Sequence, residues 1–258
     1  ETDMYDFKAD IAILLNITPD HLDRYDFCMQ NYVDAKMRII QNQTEDDAFI
    51  YWNDDPIIKG ELPKYNIKAR QYPFAENMED GCQGAIIDGM YQLLAPTLFK
   101  MKREELALEG KHNIYNQLAA GLAANIFGIS HEALTAGLAD FPGVEHRLEK
   151  AGVVNGVRYI NDSKATNVDA CWYALESMTT PTILILGGKD KGNDYNEIKE
   201  MVAKKCAALV YLGADNTKLH NFFDGLGLPV RDTHSMPDCV KACAEPVSYT
   251  HLTLPTNR

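Results

Sequence analysis

From Val157 onward, short apolar runs alternate with amphipathic stretches, and few folds can satisfy such a pattern. VRYIN leads through DSKA to the helical stretch TNVDACWYALESM, and TILILGG leads through KDKGND to a helix over 195–205. ALVYLG, a further helix, LPVRDT and a last helix near 236–244 complete the series. Apolar runs such as TILIL and ALVYL suit strands covered on both faces, and strands joined by helical crossovers run parallel. This half is therefore expected to be a parallel α/β sheet. Ligands of such sheets bind beyond the carboxyl ends of the strands, which directs attention to the loops NDSKATN and GGKDKG.

The first half is less regular. ADIAILLNI reads as a buried strand followed by TPDHLDRY, where Thr18 suits an N-cap, Pro19 the first helical position, and Asp20 and His21 the first turn. A helix is expected over 31–40 and a strand at AFIYW; residues 54–110 are turn-rich, with short strands at NIKARQY, GAIID and YQLLA. GKHNIYNQLAAGLAANIFG opens a long helix, and SHEALTAGLADF is a second with Ser130 as its N-cap. FPGVEHR, residues 141–147, places Pro and Gly between two periodic patterns and is the expected linker and hinge. The expected organisation is residues 1–143, residues 144–246, and a tail over 247–258 that ends the alternation, resembles translated adapter sequence and should pack against nothing.

Composition removes several classes of function. The 258 residues carry a formal net charge of −12, which argues against a surface that coats nucleic acid but leaves room for a local anion site. The longest aliphatic run is IAILL, too short to span a bilayer, and the acidic opening ETDMYDFKAD is unlike a signal peptide. The six cysteines include no C-x-x-C pair, so reduced, mostly buried thiols in a cytoplasmic protein are expected, without a zinc site.

Several residues could carry chemistry. Lys36 lies in the middle of the apolar arc formed by Tyr32, Val33, Ala35, Met37, Ile39 and Ile40, where an ammonium must be paired, snorkel outward or lose its proton. Asp20, His21 and Asp23 crowd a turn after a strand and suit magnesium or phosphate, or simply an acidic helix start. Asn113 and Asn116, with His112, share a helix face and could read an adenine edge or belong to an ordinary helix entrance. In NDSKATN, Thr166 and Asp169 form a T-x-x-D capping box, Asp162 could hold a ribose hydroxyl, and Lys164 with the helix N-terminus could hold an anion. GGKDKG adds close backbone approach and the cation Lys191, but it is neither a G-K-[ST] loop nor a G-x-G-x-x-G fingerprint.

Together LNITPDHLDRY, AKMRII, GKHNIYNQLAA, EHR and NDSKATN resemble the Mur ligases, ATP-dependent amino-acid-adding enzymes of peptidoglycan synthesis, in order and spacing over roughly residues 3–246. NDSKATN points to the branch that adds D-glutamate. The resemblance implies a P-loop-type ATPase domain, its N-terminal part missing, followed by an incomplete Rossmann-like parallel α/β domain. It implies ATP and Mg2+ as cofactors, with UDP-N-acetylmuramoyl-L-alanine and D-glutamate as substrates of a monomer. It makes His21 a magnesium ligand and Lys36 a carbamylated lysine. Asn113 and Asn116 fall near the nucleotide, His146 and Arg147 enter the last domain, and Asp162 binds ribose. Lys164, Thr166 and Lys191 line the phosphate and D-glutamate sites.

The family's UDP-binding domain, Walker A loop and E-x-S-S-F motif have no counterpart in this sequence, so the chain by itself is expected to be an inactive fragment. A nicotinamide oxidoreductase is disfavoured by the missing G-x-G-x-x-G. A non-catalytic nucleotide-binding module and a folylpolyglutamate-type ligase are the other readings, and NDSKATN argues against the latter.

Overall fold

The computed structural model describes residues 5–19, 22–108, 110–188, 194–244 and 251–253, the last by backbone alone. Two compact units divide at Pro142 and Gly143, inside the expected linker.

The first unit is built on a six-stranded sheet in simple sequence order. β1 (Ile11–Leu14), β2 (Ala48–Trp52), β3 (Arg70–Asn77) and β4 (Gly84–Ile87) run parallel, and β5 (Met90–Leu93) and β6 (Phe99–Lys102) complete an antiparallel meander. α1 (Met29–Met37) makes the crossover from β1 to β2, and α2 (Pro56–Glu61) follows β2. α3 (Lys111–Ile126) and α4 (His131–Ala139) close the unit, with Ser130 capping α4 at Ala133 N as its sequence position suggests. Two cores result. One joins Ile50, Phe74, Tyr91 and Leu93 of the sheet to Ile114, Leu118 and Leu122 of α3. The other joins Ala12, Leu14, Phe49 and Ile58 to Tyr32, Val33 and Met37 of α1.

β6 and α2 escape a reading of the sequence for different reasons. FKMK buries Phe99 and Met101 and exposes its lysines, an edge strand too short to show a period. α2 is announced by Asp55-Pro56, an N-cap followed by proline at the first helical position, inside a stretch that otherwise reads as turns. The helix expected to start at Pro19 does not: residues 15–19 are irregular, and a 3-10 turn follows at Leu22–Tyr25. The Ile17 amide is held by Asp55 Oδ2 at 3.0 Å, while Asp55 Oδ1 caps Ile57 and Ile58, so one buried carboxylate keeps the exit of β1 extended.

The second unit holds β7 (Glu149–Val154), β8 (Val157–Asn161), β9 (Thr182–Gly187), β10 (Cys206–Leu212), β11 (Val230–Thr233) and β12 (His251–Thr253), ordered β11-β10-β9-β12-β8-β7. Only the β7–β8 hairpin is antiparallel. α5 (Val168–Ser177), α6 (Asn196–Lys205), α7 (Thr217–Phe223) and α8 (Met236–Ala244) are the crossovers that the alternation demanded. The tail departs from expectation. Residues 251–253 pair with both β8 and β9, in parallel, and so satisfy backbone groups that a gap between those strands would leave open.

All six cysteines are free, and all but Cys28 are buried. No helix among the described residues is long and apolar enough to cross a membrane.

Packing of α3 on the sheet makes a direct prediction. A Cβ on Gly121 would sit 2.0 Å from the Tyr91 hydroxyl, which is buried and donates to Gln117 O at 2.7 Å. Helix propensity favours alanine there by about 1 kcal/mol, whereas overpacking costs about 1–3 kcal/mol and displaces that hydrogen bond. Gly121→Ala is expected to lower stability in denaturant titrations. Gly137→Ala in α4, where a Cβ meets nothing within 4 Å, is expected to raise it.

Candidate functional site

In each unit the polar groups gather at the carboxyl edge of the parallel strands. In the second unit β8 ends at Asn161, and the next residue, Asp162, is buried. Its Oδ1 accepts the Leu148 amide at 3.0 Å, from the turn that precedes β7. The same turn and loop are fastened twice more. Lys164 N donates to His146 O at 3.0 Å, and Asn161 Nδ2 reaches His146 Nδ1 at 2.7 Å and Glu149 Oε2 at 3.0 Å. His146 N–H also donates to Glu149 Oε2. His146, Arg147, Asp162 and Lys164, far apart in the sequence, are thereby brought into one cluster.

The turn is strained, since His146 has φ 66° and Leu148 φ 46° although neither is glycine. Such conformations cost on the order of 1–3 kcal/mol each and persist only where surrounding bonds enforce them. The three fastenings supply that enforcement. Asn161, Leu148 and Glu149 were not singled out in the sequence; the only signal is that Asn161 opens the NDSKATN loop.

Burial pushes the Asp162 carboxyl up to about 6, and the Leu148 amide and the nearby Arg147 guanidinium only partly offset it. Among the described residues the Leu148 amide is the donor to this carboxylate, and a pair of sugar hydroxyls would add to it. Lys164 and Arg147 are both exposed, as cations waiting on an anionic ligand would be.

In place of the expected capping box, α5 has a single cap one residue later. The N-cap is Asn167, which takes the extended conformation that ends at the helix and whose side chain accepts the Ala170 amide at 2.8 Å. Thr166 is the exposed residue before the cap. At the last residue of β9, a Cβ on Gly187 would collide with Leu212 O, so only glycine allows the close approach in which Gly188 N donates to that carbonyl at 3.0 Å. Lys191 lies outside the described residues.

In the first unit Lys36 is half-buried in the last turn of α1, with Nζ 4.9 Å from the centroid of the Tyr32 ring. Tyr32 in turn packs edge-on against Tyr25, 5.2 Å between centroids. Those rings link Lys36 to the 3-10 turn that follows His21, but Asp20 and His21 themselves lie outside the described residues. Asn113 and Asn116 are half-buried in the first turns of α3. Near them, at the ends of β2 and β3, Trp52 stacks on Tyr115 and Glu76 pairs with Lys111. Among the described residues no three His, Cys, Asp or Glu side chains are grouped to hold a metal ion.

Comparison with known proteins bears on both units. Residues 1–124 match the Mur ligase middle domain, and residues 146–249 match the Mur ligase glutamate ligase domain. UDP-N-acetylmuramoylalanine–D-glutamate ligase of Bacteroides thetaiotaomicron is 63% identical over 240 residues, 93% of this chain and 54% of the relative. The enzyme of the same name from Porphyromonas gingivalis is 51% identical, over 92% of this chain and 53% of the relative. The chain thus spans about half the length of the curated relatives it matches. Among solved structures, MurF from Acinetobacter baumannii aligns with a TM-score of 0.73 at 16% identity, covering 97% of this chain and 57% of that one. Folylpolyglutamate synthase of Mycobacterium tuberculosis aligns with a TM-score of 0.72 at 16% identity, covering 98% and 62%. At such identities the likeness is one of fold.

The raised Asp162 carboxyl fixes a sign for pH dependence. Its contribution to stability is fully present below the unfolded value, near 3.8, and is lost as pH rises through about 6. Between pH 4 and pH 7.5 the wild type should therefore lose on the order of 2–3 kcal/mol relative to Asp162→Asn, measured by denaturant unfolding of both without nucleotide.

Proposed function

The chain belongs to the Mur ligase family, and on that premise we propose that the whole protein is an ATP-dependent ligase joining D-glutamate to UDP-N-acetylmuramoyl-L-alanine in peptidoglycan synthesis. The observation that carries this reading is the high identity to enzymes of that name across both matched domains, spanning NDSKATN and its buried Asp162. The first unit then serves as the P-loop-type ATPase domain and the second as the Rossmann-like domain, in a cytoplasmic monomer.

The chemistry on this reading has two steps. The terminal carboxylate of the UDP-linked substrate attacks the γ-phosphorus of ATP, giving an acyl phosphate and ADP. The D-glutamate amine then adds to the acyl carbon, and the tetrahedral intermediate collapses with loss of phosphate and a proton to leave an amide. Little covalent chemistry falls to the protein, which positions the reactants and stabilises transferred charge.

Asp162 accepts the ribose hydroxyls, and ribose binding gives its buried carboxylate further donors. Arg147 and Lys164 meet the phosphates from the strained turn and the loop fastened to it, with His146 holding the two together. Asn113 and Asn116 face the base, and Thr166 and Lys191 face D-glutamate. Magnesium would be held by His21 and by Lys36 as a carbamate, and when bound it neutralises charge on the phosphoryl group. Lys36 fits this role chemically. Its half-buried amine lies over the Tyr32 ring, and reaction with carbon dioxide would turn it into an anionic oxygen ligand.

Substrate-by-substrate kinetics of the whole protein test the assignment. Asp162→Ala should raise KM for ATP with little effect on that for D-glutamate, and Lys191→Ala should do the reverse. Lys36→Ala should nearly abolish ligation, with partial recovery on adding short carboxylic acids. Full activity of Lys36→Ala would remove the carbamate from the mechanism, and exchanged effects of the other two variants would overturn the roles of their loops.

A further inference from the structure

α3 starts with the wrong charge. Its N-cap is Gly110, at φ 94°, which has no side chain to cap the helix with, and its first turn contains no acidic residue. Its first residue is instead a cation, Lys111, at the positive end of the helix dipole. The correction comes from the sheet. Glu76, near the end of β3, places Oε2 2.6 Å from Lys111 Nζ and 3.4 Å from the Tyr115 hydroxyl. Lys111 and Tyr115 are one helical turn apart, so a single carboxylate grips two points along one line of α3.

A third point is added by Trp52 at the end of β2. Its ring stacks on Tyr115 with centroids 4.4 Å apart and planes inclined by 29°. Asp54 ties these parts of the sheet together, its Oδ2 accepting Trp52 Nε1 at 3.0 Å and the Glu76 amide at 2.9 Å. The hydrogen bond to Glu76 holds the Lys111 ammonium well above the usual lysine range, so Lys111 stays charged through neutral pH.

We propose that Glu76 is a positioning residue for nucleotide binding: by gripping Lys111 and Tyr115 it sets the rotation of α3, and with it the aim of Asn113 and Asn116 at an adenine base. The proposal rests on the reading above, in which those two asparagines face the nucleotide. Side-chain amides lie about 5–6 Å from a helix axis, so a rotation of about 20° moves them about 2 Å, enough to break a hydrogen bond. A partly exposed ion pair contributes little to stability, about 0.2–1 kcal/mol. Losing Glu76 should therefore disturb aim far more than folding.

Base selectivity separates these effects, because a general loss of stability does not change the preference for adenine over guanine. The whole protein is assayed with ATP and with GTP as wild type, Glu76→Gln and Glu76→Ala, and the melting temperature of each is recorded. Glu76→Ala is expected to raise KM for ATP and to lower the ATP-over-GTP preference, each by about two- to fivefold, as the strength of such a pair allows, with kcat within about twofold and melting nearly unchanged. Glu76→Gln, which still accepts from Tyr115 but lacks the charge for Lys111, should fall between. An unaltered ATP-over-GTP preference in both variants overturns the proposal, as does an equal loss with both nucleotides that follows melting temperature. A wild type without adenine preference overturns the nucleotide reading of Asn113 and Asn116 itself, and the role of Glu76 with it.

Discussion

The hydrogen bond from the Leu148 amide to the buried Asp162 carboxylate is the constraint around which the second unit's site is arranged. It holds the turn before β7 against the loop after β8 in a backbone conformation that would relax if left alone. Arg147 and Lys164 are carried on the two sides of that contact, so both cations depend on one carboxylate for their place. The cost of burying Asp162 is part of the arrangement. A fully solvated aspartate would have water for its donors and little to gain from a ribose.

The first unit uses the same economy with different residues. Asp55 holds the extended exit of β1 and caps α2, and Asp54 joins the ends of β2 and β3. Each of these carboxylates at the carboxyl edge, Asp55 buried and Asp54 exposed, ties two elements that are remote in sequence, leaving the intervening loops to present polar groups. Parallel strands force this solution, because every crossover returns the chain to the same edge and brings several loop starts together there.

Much of the architecture was legible because it repeats. Four apolar runs alternating with amphipathic stretches required parallel strands and crossover helices, and the last helix lies where the periodicity puts it, at Met236–Ala244. Short or irregular features were not legible. β6 is four residues long, the chain before Thr18 is held extended where the Ile17 amide donates to the distant Asp55, and the cap of α5 is Asn167 rather than Thr166. Strand β12 could not be anticipated, since its pairing with β8 and β9 is non-local and its sequence lacks the pattern of the rest. Asp162 was singled out from its place after a strand, whereas its partner Leu148 carries no chemical signal and is recognised only once the turn is folded. Glu76 is similar: nothing in its neighbourhood marks it until α3 is laid across the sheet.

The proposed role of Asp162, a buried carboxylate that receives ribose, is tested most directly by carbon-13 NMR of its carboxyl group, titrated with and without saturating ADP. Without nucleotide the midpoint should lie near 6. With ADP bound it should fall, because donors to the ionised form favour ionisation. A midpoint in the ordinary aspartate range without ADP, or one that ADP leaves unmoved, would contradict the account.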